Sequence, residues 1–96
     1  MRREYRINIE INGIALEKVI IDPHYEEKHA ESINDEVILR LIGSLNSYDF
    51  LVETYKQPYS YFVTDRIELA GCSYKLIWLL EDNENYIGVI NAYRRS

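Results

Sequence analysis

The sequence predicts a single α+β domain spanning residues 1–96. An N-terminal β-hairpin leads to one main helix over about residues 35–46, packed on a mostly antiparallel sheet of four C-terminal strands. Three observations predict this class. Residues 5–12 alternate apolar and polar side chains with the period of two that marks a half-buried strand. Val37, Ile38, Leu41, Ile42 and Leu45 form one apolar stripe at helical spacing. Beyond Asp49 the chain is rich in aromatic and β-branched residues, in runs separated by turn residues. A chain of 96 residues supports one hydrophobic core, and a composition 47% hydrophobic and 28% charged excludes global disorder.

Each element has a local reason. In the first strand Tyr5, Ile7, Ile9 and Ile11 share one face and Arg6, Asn8, Glu10 and Asn12 the other. Asn12-Gly13 supplies the left-handed backbone of a tight hairpin turn. The return strand is Ile14 to Ile21. Its alternation slips between Leu16 and Val19, which predicts a bulge near Glu17-Lys18. Asp22-Pro23 ends it, because proline cannot donate to a ladder. The polar stretch from His24 to Glu31 reads as a short helix. Asn34 then caps the main helix, Asp35 and Glu36 suit the positive end of its dipole, and Ile33 can staple to Ile38. Strands are expected at Phe50–Lys56, Tyr59–Leu69, Tyr74–Glu81 and Tyr86–Tyr93. Tyr74–Glu81 is apolar on both faces, which predicts a central position. The acidic stretch Asp82-Asn83-Glu84-Asn85 is read as a hairpin tip.

The net charge of −5 is unevenly spread. Residues 1–6 carry a local +2, the last three another +2, and the 87 residues between them −9. Such a body repels a nucleic-acid backbone, so a broad phosphate-coating role is excluded. A small basic spot built from Arg2, Arg3, Arg94 and Arg95 remains open if the chain ends meet. The one cysteine, Cys72, can form no intramolecular disulfide, and no zinc-ligand spacing is present. No signal-peptide core and no membrane-length apolar run are present, so a cytoplasmic location is expected.

Few residues can carry chemistry. His24 and His29 are the histidines, and a spacing of five does not place both on one helical face for a paired metal site. Each is equally readable as a solvated surface residue. Tyr93-Arg94-Arg95 offers a ring for base stacking and a guanidinium fork for phosphate. No glycine-rich phosphate loop, nucleophile elbow or cofactor motif occurs, and no cofactor or metal is expected.

The stretch Tyr74-Lys75-Leu76-Ile77-Trp78-Leu79-Leu80-Glu81-Asp82, followed by residues Tyr86 to Arg95, resembles the closing hairpin of RelE/ParE-like proteins. There a Tyr-Arg-Leu strand, an acidic turn and an apolar strand ending in His-Arg or Tyr-Arg-Arg recur. Lys28 to Val37 is similar to small RelE-fold relatives that carry a histidine before a helix. The resemblance covers about half the chain. It implies the toxin half of a toxin–antitoxin pair, an endoribonuclease in which the RNA 2′-hydroxyl attacks the adjacent phosphate. Tyr93 then takes the terminal His/Tyr position, Arg94 binds phosphate, and His29 is the candidate base. His24 enters on its chemistry alone. The implied partners are a cognate antitoxin or another protein, with RNA as substrate.

The acidic body supports a second reading, a non-catalytic interaction module (antitoxin-, immunity- or regulator-like) that meets a basic protein. A third is a homodimer paired through an exposed edge strand.

Overall fold

The computed structural model describes residues 2–29 and 31–95, the side chain of His29 excepted. The hairpin forms as its residues dictate: β1 (Arg3–Ile11) and β2 (Ile14–Ile21) turn through Asn12 and Gly13, both at positive φ. Their register slips between Arg6 and Ile9: Ile7 and Asn8 of β1 face Glu17 alone, so the extra residue sits on β1, across from the Glu17-Lys18 stretch where a bulge was expected. Asp22 caps a 3-10 turn at Pro23–Tyr25, which runs into α1 (Glu26–His29). The Asn34 side chain accepts from Val37 N at 2.9 Å and starts α2 (Asp35–Gly43). Four strands follow: β3 (Thr54–Lys56), β4 (Tyr59–Leu69), β5 (Cys72–Glu81) and β6 (Tyr86–Arg94).

The α+β expectation of one main helix on a four-stranded sheet is overturned: the fold is mostly β, with only short helices. All six strands join in one mixed sheet, ordered β1-β2-β6-β5-β4-β3 and curved into a half-barrel, and 55% of residues are strand against 16% helix. The hairpin is therefore part of the main sheet: β2 runs parallel to β6, with Lys18 opposite Tyr86 and Ile21 opposite Val89. The physical reason lies in β6. Its β5 side is paired, its other edge is open, and β2 brings Leu16, Val19 and Ile21 to the same buried face. Mixed pairing has no local signature in the sequence. Register shifts between β1 and β2, β4 and β5, and β5 and β6 add the curvature.

The helix is shorter than expected. Beyond Gly43 the chain tightens into successive turns, and Ser47 sits at positive φ with its N–H donated to Glu10 O at 2.7 Å. The stripe nevertheless does its packing. Ile38, Leu41, Ile42 and Leu45 are buried in one core with Leu16, Val19, Leu76, Ile87 and Val89 from the inner face of the sheet. Trp78 sits at its centre with no exposed surface. Phe62 stacks on it at 4.1 Å, Phe50 meets it edge-on at 5.5 Å, and its Nε1 donates to Thr64 Oγ1 at 2.9 Å. β5 is interior in the strand order, but its second apolar face is only half covered: Ile77 and Leu79 lie half-buried on the outside of the half-barrel.

A further difference concerns residues 50–53. They read as the start of a strand, yet β3 begins only at Thr54. The Asn12 side chain takes both backbone groups of Phe50, accepting from its N–H at 2.5 Å and donating to its carbonyl at 3.1 Å. That clamp turns Phe50 toward Trp78 and leaves Leu51 and Val52 facing solvent.

Candidate docking surface

Strand directions gather the turns at one end of the half-barrel. β1 and β2 meet there at Asn12-Gly13, β3 and β4 at Gln57-Pro58, and β5 and β6 at Asp82–Asn85. The chain leaving α2 reaches the same end, where Tyr48 bridges to Ile11. Backbone bonds tie the turns together: Asp82 N donates to Pro58 O at 2.8 Å, Glu17 N to Asn85 O at 2.8 Å, and Asn12 N to Tyr48 O at 3.2 Å. The Tyr55 hydroxyl donates to Asp82 Oδ2 at 2.5 Å, a bond that raises the Tyr55 phenol above its ordinary value. These bonds brace this end.

Two properties converge on it. Among the described residues six large apolar side chains are exposed, and five of them are here: Ile14, Tyr48, Leu51, Val52 and Tyr55. Leu51 is 94% exposed. Scattered apolar residues on a surface are ordinary; five of six gathered at one end are a departure from that pattern. The segments 48–58 and 81–85 also carry five carboxylates, Asp49, Glu53, Glu81, Asp82 and Glu84, against the single amine Lys56. Between them opens a hollow of about 430 Å³, floored by Phe62 and Leu80, flanked by Ile14 and Val52 and rimmed by Asp82 and Glu84. An apolar floor under an acidic rim suits a cationic, amphipathic ligand.

The opposite end receives both chain termini, but the expected arginines do not form one site there. Arg3 is spent inside the protein. Its Nε and one terminal nitrogen donate to the two oxygens of Asp35 at 2.5 and 2.9 Å, and it also reaches Glu26 at 3.5 Å. Tyr5 and Tyr25 donate to the same carboxylate at 2.5 and 2.7 Å. The Arg3 bonds, then the two phenols, hold Asp35 well below the usual carboxylate range against the opposing effect of burial. Burial and the Asp35 bond push Tyr25 up, so it stays a phenol donor. This network pins β1 to the first turn of α2. Arg2 lines a hollow on the outer face of the sheet with Asp22 and Tyr59, whereas Arg94 and Arg95 line a separate corner with Arg66 and Ser73. Arg95 pairs with Asp65 at 3.3 Å, and Lys75 lies over the Tyr93 ring at 5.7 Å.

Of the expected catalytic residues, Tyr93 and Arg94 are consecutive in β6, where side chains alternate between faces, and both border the corner that holds Arg66. His24, exposed on the 3-10 turn, meets Glu27 at 3.1 Å. The side chain of His29 lies outside the described residues. Arg66 escaped sequence reading. Its only signal is a strand that loses alternation at Asp65-Arg66, where Arg66 adopts positive φ. Among the described residues no cluster of metal-donor side chains occurs, and no helix is long and apolar enough to cross a membrane.

No family model, curated protein or solved structure matches this chain. The toxin–antitoxin and ribonuclease expectations find no support in the fold or in these comparisons.

Proposed function

We propose that the protein is a non-catalytic interaction module whose turn end docks a basic segment of a partner protein carrying at least one apolar side chain. The observation that carries this reading is the coincidence, on one braced end, of five exposed apolar side chains with five carboxylates against a single amine. The apolar residues supply affinity through burial, at roughly 25 cal/mol per Å² removed from water. The carboxylates select for positive charge and speed encounter. Leu51, Val52 and the hollow beneath them take the apolar anchor, and Glu53, Asp82 and Glu84 face the flanking cations.

The test is a selection of displayed random peptides on the intact chain. Enrichment of Lys/Arg-rich peptides with a Leu, Ile or Phe anchor, abolished when the selection is repeated on Leu51→Asp, is expected. Enrichment of no such motif, or a motif that persists on Leu51→Asp, refutes the reading.

A further inference from the structure

A second hollow lies on the outer face of the sheet, away from the core, and registers across four strands explain how it forms. One row runs Tyr61, Leu79, Gly88 and Ile20 across β4, β5, β6 and β2. In the next row Tyr59 lies opposite Glu81 and Tyr86 opposite Lys18. The two pairs are joined by the Tyr86 hydroxyl, which donates to Glu81 Oε1 at 2.5 Å. Gly88 is the one position in these rows without a side chain. A Cβ there would come within 2.9 Å of Leu79 Cδ1 and 3.6 Å of the Tyr86 ring, so both neighbours lean over the glycine. The result is a hollow of about 210 Å³ with Tyr59, Tyr61 and Tyr86 as walls and Leu79, Ile20 and Ile90 as apolar lining.

The chemistry of these walls is specific. Tyrosine rings present electron-rich faces, and Tyr59 and Tyr61 stand 6.2 Å apart and tilted by 55°, so their faces do not stack on each other. Burial and the Glu81 bond raise the Tyr86 phenol, which therefore remains a donor that orients the carboxylate beside the hollow. Asp22 supplies a second carboxylate on the lining. The exposed Arg2 side chain also borders the hollow, and a cation bound there takes its place beside the carboxylates.

We propose that this hollow binds an alkylammonium or guanidinium group, with the aliphatic stem against Leu79 and Ile20, the charge against the tyrosine faces, and Glu81 as counter-ion. Three π faces with an oriented carboxylate form the arrangement that recognises organic cations. The site opens on the outer face of the sheet and shares Glu81 with the docking end, but it uses none of the exposed apolar side chains there.

The experiment is an NMR titration of the intact chain, following the ring resonances of Tyr59, Tyr61 and Tyr86. The probes are Nα-acetyl-lysine amide, Nα-acetyl-norleucine amide, which keeps the four-carbon stem and lacks the ammonium group, and butylammonium. Saturable shifts with the lysine probe are expected, with the norleucine probe at least about threefold weaker. Gly88→Ala, whose methyl group meets Leu79 Cδ1 at 2.9 Å and pushes that side chain into the hollow, is expected to weaken binding at least about threefold, and Glu81→Gln to weaken it about threefold. Leu51→Ser leaves the titration unchanged, which separates this site from the docking end. Butylammonium binding as tightly as the lysine amide assigns a free amine; tighter binding of the lysine amide assigns a side chain of a polypeptide. Absence of saturable shifts, equal binding of the norleucine amide, or unchanged binding in both Gly88→Ala and Glu81→Gln overturns the proposal.

Discussion

Arg3 and Asp35, 32 residues apart in the chain, form a two-pronged ion pair in which both carboxylate oxygens are engaged, at 2.5 and 2.9 Å. With Tyr5 and Tyr25 donating to the same group, four donors from β1 and the 3-10 turn converge on one first-turn residue of α2. The Asp35 side chain is only 16% exposed, so its partners cannot be replaced freely by water. Asp35→Ala is expected to lower stability by about 1–3 kcal/mol in urea unfolding at neutral pH, since it leaves the buried Tyr25 hydroxyl without its acceptor and releases the half-exposed Arg3 and Tyr5. A loss below about 0.5 kcal/mol contradicts the anchoring role.

The same pair sets an acid dependence. The folded carboxyl is held below its unfolded value of about 3.9, so its contribution is fully present above that pH and fades as pH falls below it. The stability difference between wild type and Asp35→Asn is therefore expected to be constant from pH 7 to 5 and to shrink below pH 4. A difference that stays constant down to pH 2 contradicts the depressed titration.

Trp78, the only tryptophan, reports directly on the core. Trp78→Ala removes the ring that Phe62 and Phe50 pack against and is expected to cost about 3–5 kcal/mol. Thr64→Val removes only the partner of the indole N–H and is expected to cost about 1 kcal/mol. In the latter variant, tryptophan emission during urea unfolding measures both the change in environment and the loss of stability. An unchanged midpoint argues against the Thr64 hydrogen bond.

Local chemistry was legible in the sequence and long-range pairing was not. Asn12-Gly13, the Asn34 cap and the alternation of β1 are decided by residues within a few positions of each other, and each stands as read. The parallel pairing of β2 with β6 joins residues 68 apart, Lys18 with Tyr86, and no local pattern encodes it. Residues 50–53 carry strand-forming side chains, but Asn12 captures the backbone of Phe50 and overrides them. That override hid the docking end, because Leu51 and Val52 pass for sheet residues until the clamp is seen. Asp35 was visible only as a cap acid; its role needs Arg3, Tyr5 and Tyr25 brought to it in space. The uneven charge was legible as −9 and two +2 segments, and the fold sorts part of it into an acidic turn end opposite the arginine-bearing termini.

Leu51 separates docking from folding. A side chain 94% exposed contributes little to stability, so Leu51→Ser is expected to shift the unfolding free energy by no more than about 0.5 kcal/mol. A larger loss would mean that Leu51 holds the loop and is not free to receive a partner.

The most direct measurement is the affinity of a selected basic peptide for wild type, Leu51→Ser and the double variant Glu53→Gln/Glu84→Gln, at low and high salt. Leu51→Ser is expected to weaken binding at least about tenfold at every salt concentration, as loss of a central apolar anchor does. The double variant is expected to slow association and flatten the salt dependence. Equal affinity of all three proteins, with binding insensitive to salt, contradicts docking at the turn end.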